Sequence, residues 1–338
     1  MSYIKEKYAE QLDPPPMTLD IVGGMKRYGA KSTPPVQQPS DDDWLEDTYI
    51  EDFTMPNLKK ILDERIVGQE KAKRALAQTL YTTFEHNMAT NVMLIGPTAS
   101  GKTECCRAIA DEFKKPCHWC DCSILSGESY RGDVHLSTVI KGIPDDGRMK
   151  ILFADEFDKL LFAGSDSYPM KLQSEWLRIL DKDPSVFQGC VKPENLTIIA
   201  TGAFSQIYQK KRKPKSIGFA TANAVQQSEI TIDRSDLIEA GLLAEIVGRF
   251  QKVICLEEPS LETYKGIADK MLWDLAEKFE RGVNIHQDDL YAIAQRALDS
   301  GLGARMIRSE LLQMIEDYLY EHPYARTIEL TEGLVAEM

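Results

Sequence analysis

Residues Gly96 to Thr103 read GPTASGKT, with an apolar run, Val92 to Ile95, before them and a helix-forming segment from Lys102 onward. Strand, glycine-rich loop and helix in that order leave successive backbone N–H groups free to wrap phosphate oxygens, backed by the positive end of the helix dipole. The G-x-x-x-x-G-K-[ST] pattern assigns Gly96, Pro97, Thr98, Ala99, Ser100 and Gly101 to a phosphate cradle. It gives Lys102 to the β- and γ-phosphates and Thr103 to Mg²⁺. A plain glycine turn with an exposed lysine would need neither flanking element.

Outward from this loop, strands and helices alternate. Gln69 to His86 carries Ala72, Ala75, Leu76, Leu80 and Phe84 near a 3.6-residue period, which predicts a helix. Lys102 to Lys114 is the next helix, Pro116 to Cys122 a short strand and Asp133 to Ile143 a further helix. Met149 to Asp155, MKILFAD, is a near-continuous apolar run ending in acid, as in a strand buried on both faces of a parallel sheet. Leu172 to Leu180 reads as a helix and Leu196 to Gly202 as another buried strand. A polar loop with the basic run Lys210 to Lys215, the segment Leu237 to Ile246 and a last strand around Val253 to Leu256 follow. The pattern predicts an α/β fold with a doubly wound parallel sheet, and ligands at the C-terminal ends of its strands.

Pro259 marks a boundary. Beyond it, Leu261 to Phe279, Asp288 to Leu298 and Arg305 to Leu319 are amphipathic, the last with Ile307, Leu311, Met314 and Tyr318 on one face. Residues 258–338 are therefore expected to form a small, mostly helical domain after a large domain at 55–257. Residues 1–54 are an acidic, proline-rich extension, expected to be partly disordered. Trp44, Leu45, Tyr49, Ile50 and Phe53 follow its acidic run, and either dock a partner or tuck against the neighbouring domain.

The second chemical signal is Ile151 to Lys159, ILFADEFDK. Two carboxylates at the end of a buried strand give Asp155 to the Mg²⁺ shell and Glu156 to a water that attacks the γ-phosphate. A nucleotide switch needs only the first; an ATPase that turns over profits from the second.

Composition narrows the partners. With 53 acidic and 40 basic residues in 338, the formal charge is −13, against a protein that grips nucleic acid over its whole surface. The N-terminus has no apolar leader and no run is long enough to span a bilayer, so a cytoplasmic location without membrane attachment is expected. Seven cysteines, an odd number, fit reduced thiols better than a disulfide framework. Cys117, His118, Cys120 and Cys122 share one strand, where alternate residues face opposite sides, so core thiols explain them better than a metal site. Cys105 and Cys106, on the helix after the phosphate loop, are expected to pack, with oxidation sensitivity as an alternative.

Gly96 to Thr103 together with Asp155 and Glu156 resembles the AAA+ P-loop ATPases, and further stretches resemble the ClpX branch of the Clp/HSP100 unfoldases. Ile66 to Lys73, IVGQEKAK, looks like the family segment that closes over adenine, which implies Ile66 and Val67 there. Glu245 to Phe250, EIVGRF, is similar to the motif whose arginine, here Arg249, reaches a neighbouring subunit's nucleotide. Gly301 to Arg305, GLGAR, resembles the sensor 2 motif, which implies that Arg305 touches phosphate in cis and that the C-terminal domain is a lid. Thr201 lies near the sensor 1 position, with a loose match. The resemblance implies ATP with Mg²⁺, a homo-hexamer closed by heterologous contacts, and unfolded or tagged protein substrates.

Two loops would decide what such a ring does. Ser126 to Gly132, SGESYRG, occupies the place of the pore loop that grips a polypeptide, with Tyr130 as the aromatic, Arg131 where the family has an aliphatic residue, and Gly132 as the bend. Ile217, Gly218 and Phe219, within SIGFA, match the tripeptide that docks on a ClpP-type peptidase. An N-terminal zinc-binding module is not expected, since the first 50 residues hold no cysteine. The expected function is an ATP-dependent unfoldase and translocase that feeds a separate peptidase and has no protease site of its own. The alternatives are a stand-alone remodelling chaperone and a DNA-acting motor, the latter disfavoured by the charge and by Tyr130.

Overall fold

The computed structural model describes residues 25–28, 53–113, 115–127, 134–161, 167–212 and 231–330, with the side chains of residues 25–28, 167, 168 and 212 left aside. Tyr130, Arg131 and Gly132, and likewise Ile217, Gly218 and Phe219, lie outside the described residues. The chain divides into two compact units, Asp42–Pro259 and Ser260–Met338, the latter joined by Met1–Asp41.

In chain order the elements are β1 (Met25–Tyr28), α1 (Met55–Arg65), α2 (Glu70–Glu85), β2 (Val92–Ile95), α3 (Lys102–Phe113), β3 (Cys117–Asp121), α4 (Leu136–Lys141) and β4 (Lys150–Asp155). They continue with α5 (Ser167–Leu180), β5 (Leu196–Gly202), α6 (Ser205–Arg212), α7 (Arg234–Glu239), α8 (Ala244–Gly248) and β6 (Lys252–Cys255). The second unit holds α9 (Leu261–Lys278), β7 (Gly282–His286), α10 (Gln287–Ser300), α11 (Ala304–Glu321) and β8 (Thr327–Leu330).

The five strands of the larger unit lie in the order β3-β4-β5-β2-β6, all parallel. Alternation along each strand supplies two cores. Val92, Leu94, Ile151, Phe153 and Ile199 face one way, onto Leu58 and Leu62 of α1, Leu76 and Leu80 of α2, and Ile109 and Phe113 of α3. Met93, Ile95, Leu152, Ala154 and Ile198 face the other way, onto Trp176 of α5, Ile207 of α6 and Ile246 of α8. Each fully buried Leu, Ile or Phe contributes about 1.5–3 kcal/mol. From β2 the chain crosses to β3 at one edge, while β6 lies on the other side of β2. The loop after β2 therefore sits where the strand order reverses, the place at which open α/β sheets collect ligands.

Some elements add to the sequence expectation and others differ from it. Leu237 to Ile246 holds two short helices, α7 and α8, separated at Gly241, whose φ of 109° suits a residue without Cβ. The start of the basic run, Lys210 to Arg212, ends a helix. The smaller unit carries a three-stranded sheet in addition to its helices, with β7 between β1 and β8. The strand β1 lies within the proline-rich N-terminal stretch and pairs antiparallel with β7, Met25 opposite His286. Val283, Ile285, Ile328 and Leu330 from that sheet pack with Leu272, Ile293, Ile307 and Leu311 from the helices.

Candidate functional site

The glycine-rich loop leaves β2 at Ile95 and returns into α3 at Lys102. Gly96 is buried, and a Cβ there would lie 2.5 Å from Ser100 Oγ and 2.9 Å from Leu256 Cβ. Only glycine fits without moving the loop. Ala99 at φ 65° and Gly101 at φ 93° curl the backbone, the left-handed placement that turns consecutive N–H groups into an anion nest. Ser100 N–H donates to Pro97 O at 3.2 Å and closes the curl. Lys102 Nζ donates to the loop carbonyls of Gly96 and Pro97 at 2.9 and 2.8 Å, so its ammonium lies over the loop.

At the end of β4, Asp155 is the hub. Thr103 Oγ1 donates to its Oδ2 at 3.0 Å, and the N–H of Glu156 donates to its Oδ1 at 3.0 Å. The buried hydroxyl of Thr201, at the end of the adjacent strand β5, donates to the same Oδ1. The loose sensor 1 match thus falls on a residue in direct contact with the hub. Glu156 follows at φ 53°, exposed, while Phe157 after it is fully buried. One turn on, Asp158 Oδ1 accepts the N–H of Ala203 at 3.0 Å and locks the exits of β4 and β5 together. Asp158 stands within the acidic stretch, but its strand-locking role has no sequence signature.

The fit of a nucleotide can be judged from this chain's own groups. Ser100 Oγ is buried in the loop with no hydrogen-bond partner among the described residues. Such an orphaned hydroxyl costs about 1–3 kcal/mol unless a ligand or water meets it. The hydroxyl of Thr103 and the carboxylate of Asp155 are hard oxygen donors of the kind Mg²⁺ takes beside phosphate. Both observations fit an Mg²⁺–nucleotide.

The segment assigned to adenine is fastened by a network that motif reading missed. Ile66 is buried and Val67 half-buried at the turn between α1 and α2. Lys73 Nζ donates to Ile66 O at 3.3 Å and forms ion pairs with Asp63 and Glu70 at 2.7 and 2.6 Å. Burial pushes the Asp63 carboxyl up, but Lys59 and Lys73 outweigh it and hold it below the ordinary range. Gln69, at φ 58°, turns its buried side-chain amide inward. Its Nε2 donates to Ser100 O at 3.0 Å and Glu257 O at 2.9 Å, and its Oε1 accepts the Glu257 N–H at 3.0 Å. One amide thereby joins the phosphate loop to the exit of β6.

The two candidate arginines are both exposed, one in each unit. Arg249 follows α8, is exposed, and pairs through Nε with Asp181 at 2.5 Å. Arg305 belongs to the smaller unit and is exposed in the first turn of α11, after a bend that puts Gly301 and Gly303 at φ 69° and 65°.

The cysteines resolve into packing. Cys105, Cys106, Cys120 and Cys122 are buried and Cys117 is half-buried. Burial pushes the Cys105 thiol up to about 12 and Cys106 well above its usual value, which disfavours the reactive thiolate beside the loop. No group of three His, Cys, Asp or Glu able to hold a metal occurs among the described residues. No helix among them is long and apolar enough to cross a membrane.

Comparison with known proteins matches each unit separately. Residues 87–253 match the AAA domain (Cdc48 subfamily), and residues 260–336 match the C-terminal, D2-small domain, of ClpB protein. A protein of Treponema denticola named ATP-dependent Clp protease ATP-binding subunit ClpX is 27% identical over 321 residues, spanning 80% of this chain and 77% of its own. ATP-dependent Clp protease ATP-binding subunit ClpX 2 of Wolinella succinogenes is 28% identical over 323 residues, with 82% and 81% covered.

Proposed function

We propose, from the premise that this chain belongs to the AAA+ ATPases and carries a Clp-type small domain, that it is an ATP-driven protein unfoldase that threads substrates through a hexameric ring into a ClpP-type peptidase. The observation that carries the reading is the end of β4, where Asp155 is oriented by Thr103 and Thr201 with exposed Glu156 beside it. Ligand gating alone has no use for the second carboxylate; turnover does.

In this reading Gly96 to Gly101 cradle the phosphates, and Lys102 exchanges its loop carbonyls for β- and γ-phosphate oxygens. Thr103 and Asp155 would hold Mg²⁺, which would supply positive charge to those oxygens. Glu156 takes a proton from the attacking water, and its outward placement leaves the carboxylate within reach of solvent. Ile66 and Val67 cover the base. Arg249 of a neighbouring subunit and Arg305 in cis neutralise charge that develops on the transferred group, which couples hydrolysis to assembly and to the lid. Tyr130, with Arg131 and Gly132, grips the polypeptide, and Ile217, Gly218 and Phe219 dock the peptidase. A cytoplasmic location follows from the same reading.

The test is ATP-dependent degradation of a tagged, stably folded reporter by this protein with a ClpP-type peptidase, beside an Ile217→Ala, Phe219→Ala double variant. Loss of degradation with ATPase activity retained supports docking and the proteolytic role. If both proteins hydrolyse ATP and neither supports degradation, a stand-alone remodelling chaperone replaces it.

A further inference from the structure

The turn that presents Arg249 is held by one charged residue to which no motif drew attention. Arg234, the first residue of α7, extends its guanidinium to the end of α8. Its Nη1 donates to Val247 O at 2.8 Å, and its Nη2 donates to Phe250 O at 2.5 Å and Gln251 O at 3.2 Å. Those three carbonyls bracket Arg249 on both sides in sequence. A helix end leaves carbonyls without intrahelical partners, and a planar guanidinium fork can take several at fixed angles where a lysine would take them loosely.

The base of the same turn is anchored from the sheet. Asn91 Nδ2 donates to the carbonyl of Arg249 itself at 3.3 Å, while Asn91 Oδ1 accepts the Ile198 N–H of β5 at 3.0 Å. Phe250 is fully buried and meets Phe157, the residue after Glu156, edge to face at 5.7 Å. Backbone and neighbours of Arg249 are therefore fixed, while its exposed side chain is tied only by the surface pair with Asp181 among the described residues. This is the construction expected of a group that must arrive at a preset position in another molecule's site, because rigid backing removes the entropy of finding it.

We infer that Arg234 is a positioning residue for the trans-acting arginine: it fixes the turn so that Arg249 reaches the nucleotide of the adjacent subunit. The inference rests on the proposed trans role of Arg249, and its test keeps the two apart. ATPase activity of the full-length chain is measured for Arg234→Ala and Arg249→Ala, each alone and each mixed with Glu156→Gln subunits. The Glu156→Gln subunit is dead in its own site but offers an intact Arg249 to its neighbour.

Arg234→Ala is expected to lower kcat roughly tenfold or more, with KM within about twofold. Mixing with Glu156→Gln should then raise the rate per Arg234→Ala subunit several-fold, because its own site is whole and lacks only a well-placed arginine from next door. Arg249→Ala should be rescued in the same way. Rescue of Arg249→Ala without rescue of Arg234→Ala overturns the inference, since Arg234 would then be serving its own subunit's site. So does a wild-type kcat for Arg234→Ala. A wild-type rate for Arg249→Ala alone, or an Arg249→Ala defect that mixing leaves unchanged, overturns the trans reading and the inference with it. Should Arg234→Ala lose its cooperative thermal transition, Arg234→Lys, which keeps the charge and loses the fork, takes its place under the same criteria.

Discussion

The two ends of β4 treat charge in opposite ways. At its start, buried Lys150 is paired with Asp146, whose carboxyl is held far below the ordinary range by the Lys150 ammonium and then by the Arg148 N–H. At its finish, the hydrogen bonds to Asp155 among the described residues come from neutral donors, two threonine hydroxyls and a backbone N–H. Neutral donors fix the direction of a carboxylate without cancelling its charge; an ammonium cancels it. The first end is closed and serves the fold, while the second is held by neutral groups in every described hydrogen bond.

The largest effect that would sharpen this contrast is on hydrolysis. Lys102→Ala and Glu156→Gln are each expected to cut kcat by at least about a hundredfold. In a steady-state phosphate-release assay, a near-normal rate for Glu156→Gln would remove the open end from the reaction, and one for Lys102→Ala would remove the phosphate loop. Asp155→Asn comes next: activity should fall by a similar order, yet the melting temperature should hold or rise, because the amide can keep hydrogen bonds to Thr103 and Thr201 while shedding a charge that has no salt bridge among the described residues. A large drop in melting temperature would mean that the charge at this end is structural after all.

Asp146→Asn should show the reverse pattern. It leaves the Lys150 ammonium buried without its counter-charge, a loss of about 3 kcal/mol in urea unfolding, while the ATPase rate per folded molecule stays near wild type. In the wild type the depressed Asp146 value contributes stability that is fully present above the ordinary carboxylate pKa of about 4 and is lost as pH falls through the native value. Urea titrations at falling pH should therefore narrow the gap between wild type and Asp146→Asn. A gap that widens would contradict the pairing.

Smaller effects test the connections around the open end. Gln69→Glu replaces a double donor by an acceptor facing the carbonyls of Ser100 and Glu257, and should weaken nucleotide affinity by about tenfold in equilibrium binding. Asp181→Asn should change stability by less than about 1 kcal/mol, as the Arg249 pair is exposed. A larger loss in chemical unfolding would make that pair part of the fold.

What could be read from the chain was what is local. Strand, loop and helix around Lys102 and the buried run ending at Asp155 are contiguous signals, and the structure brings Thr103 and Asp155 to 3.0 Å. Gln69 and Glu257 meet across 188 positions, and Arg234 acts on carbonyls that any sequence possesses, so neither leaves a pattern. The strands β7 and β8 are five and four residues long, too short for a periodic signal to outweigh the helices around them. The partner of β1 comes from the far end of the chain, so its proline-rich setting gave no hint of pairing.

The sequestered thiols have a practical consequence. All seven cysteines are buried or half-buried, and burial raises Cys117 and Cys105 to about 12. Alkylating probes attack thiolates, so a cysteine introduced at the exposed Arg107 on α3 or Glu262 on α9 would outcompete the native ones. A dye pair at those two positions gives a ruler between the AAA unit and the small unit in the otherwise native sequence, and comparing its length with and without ATP tests whether nucleotide changes the spacing of the two.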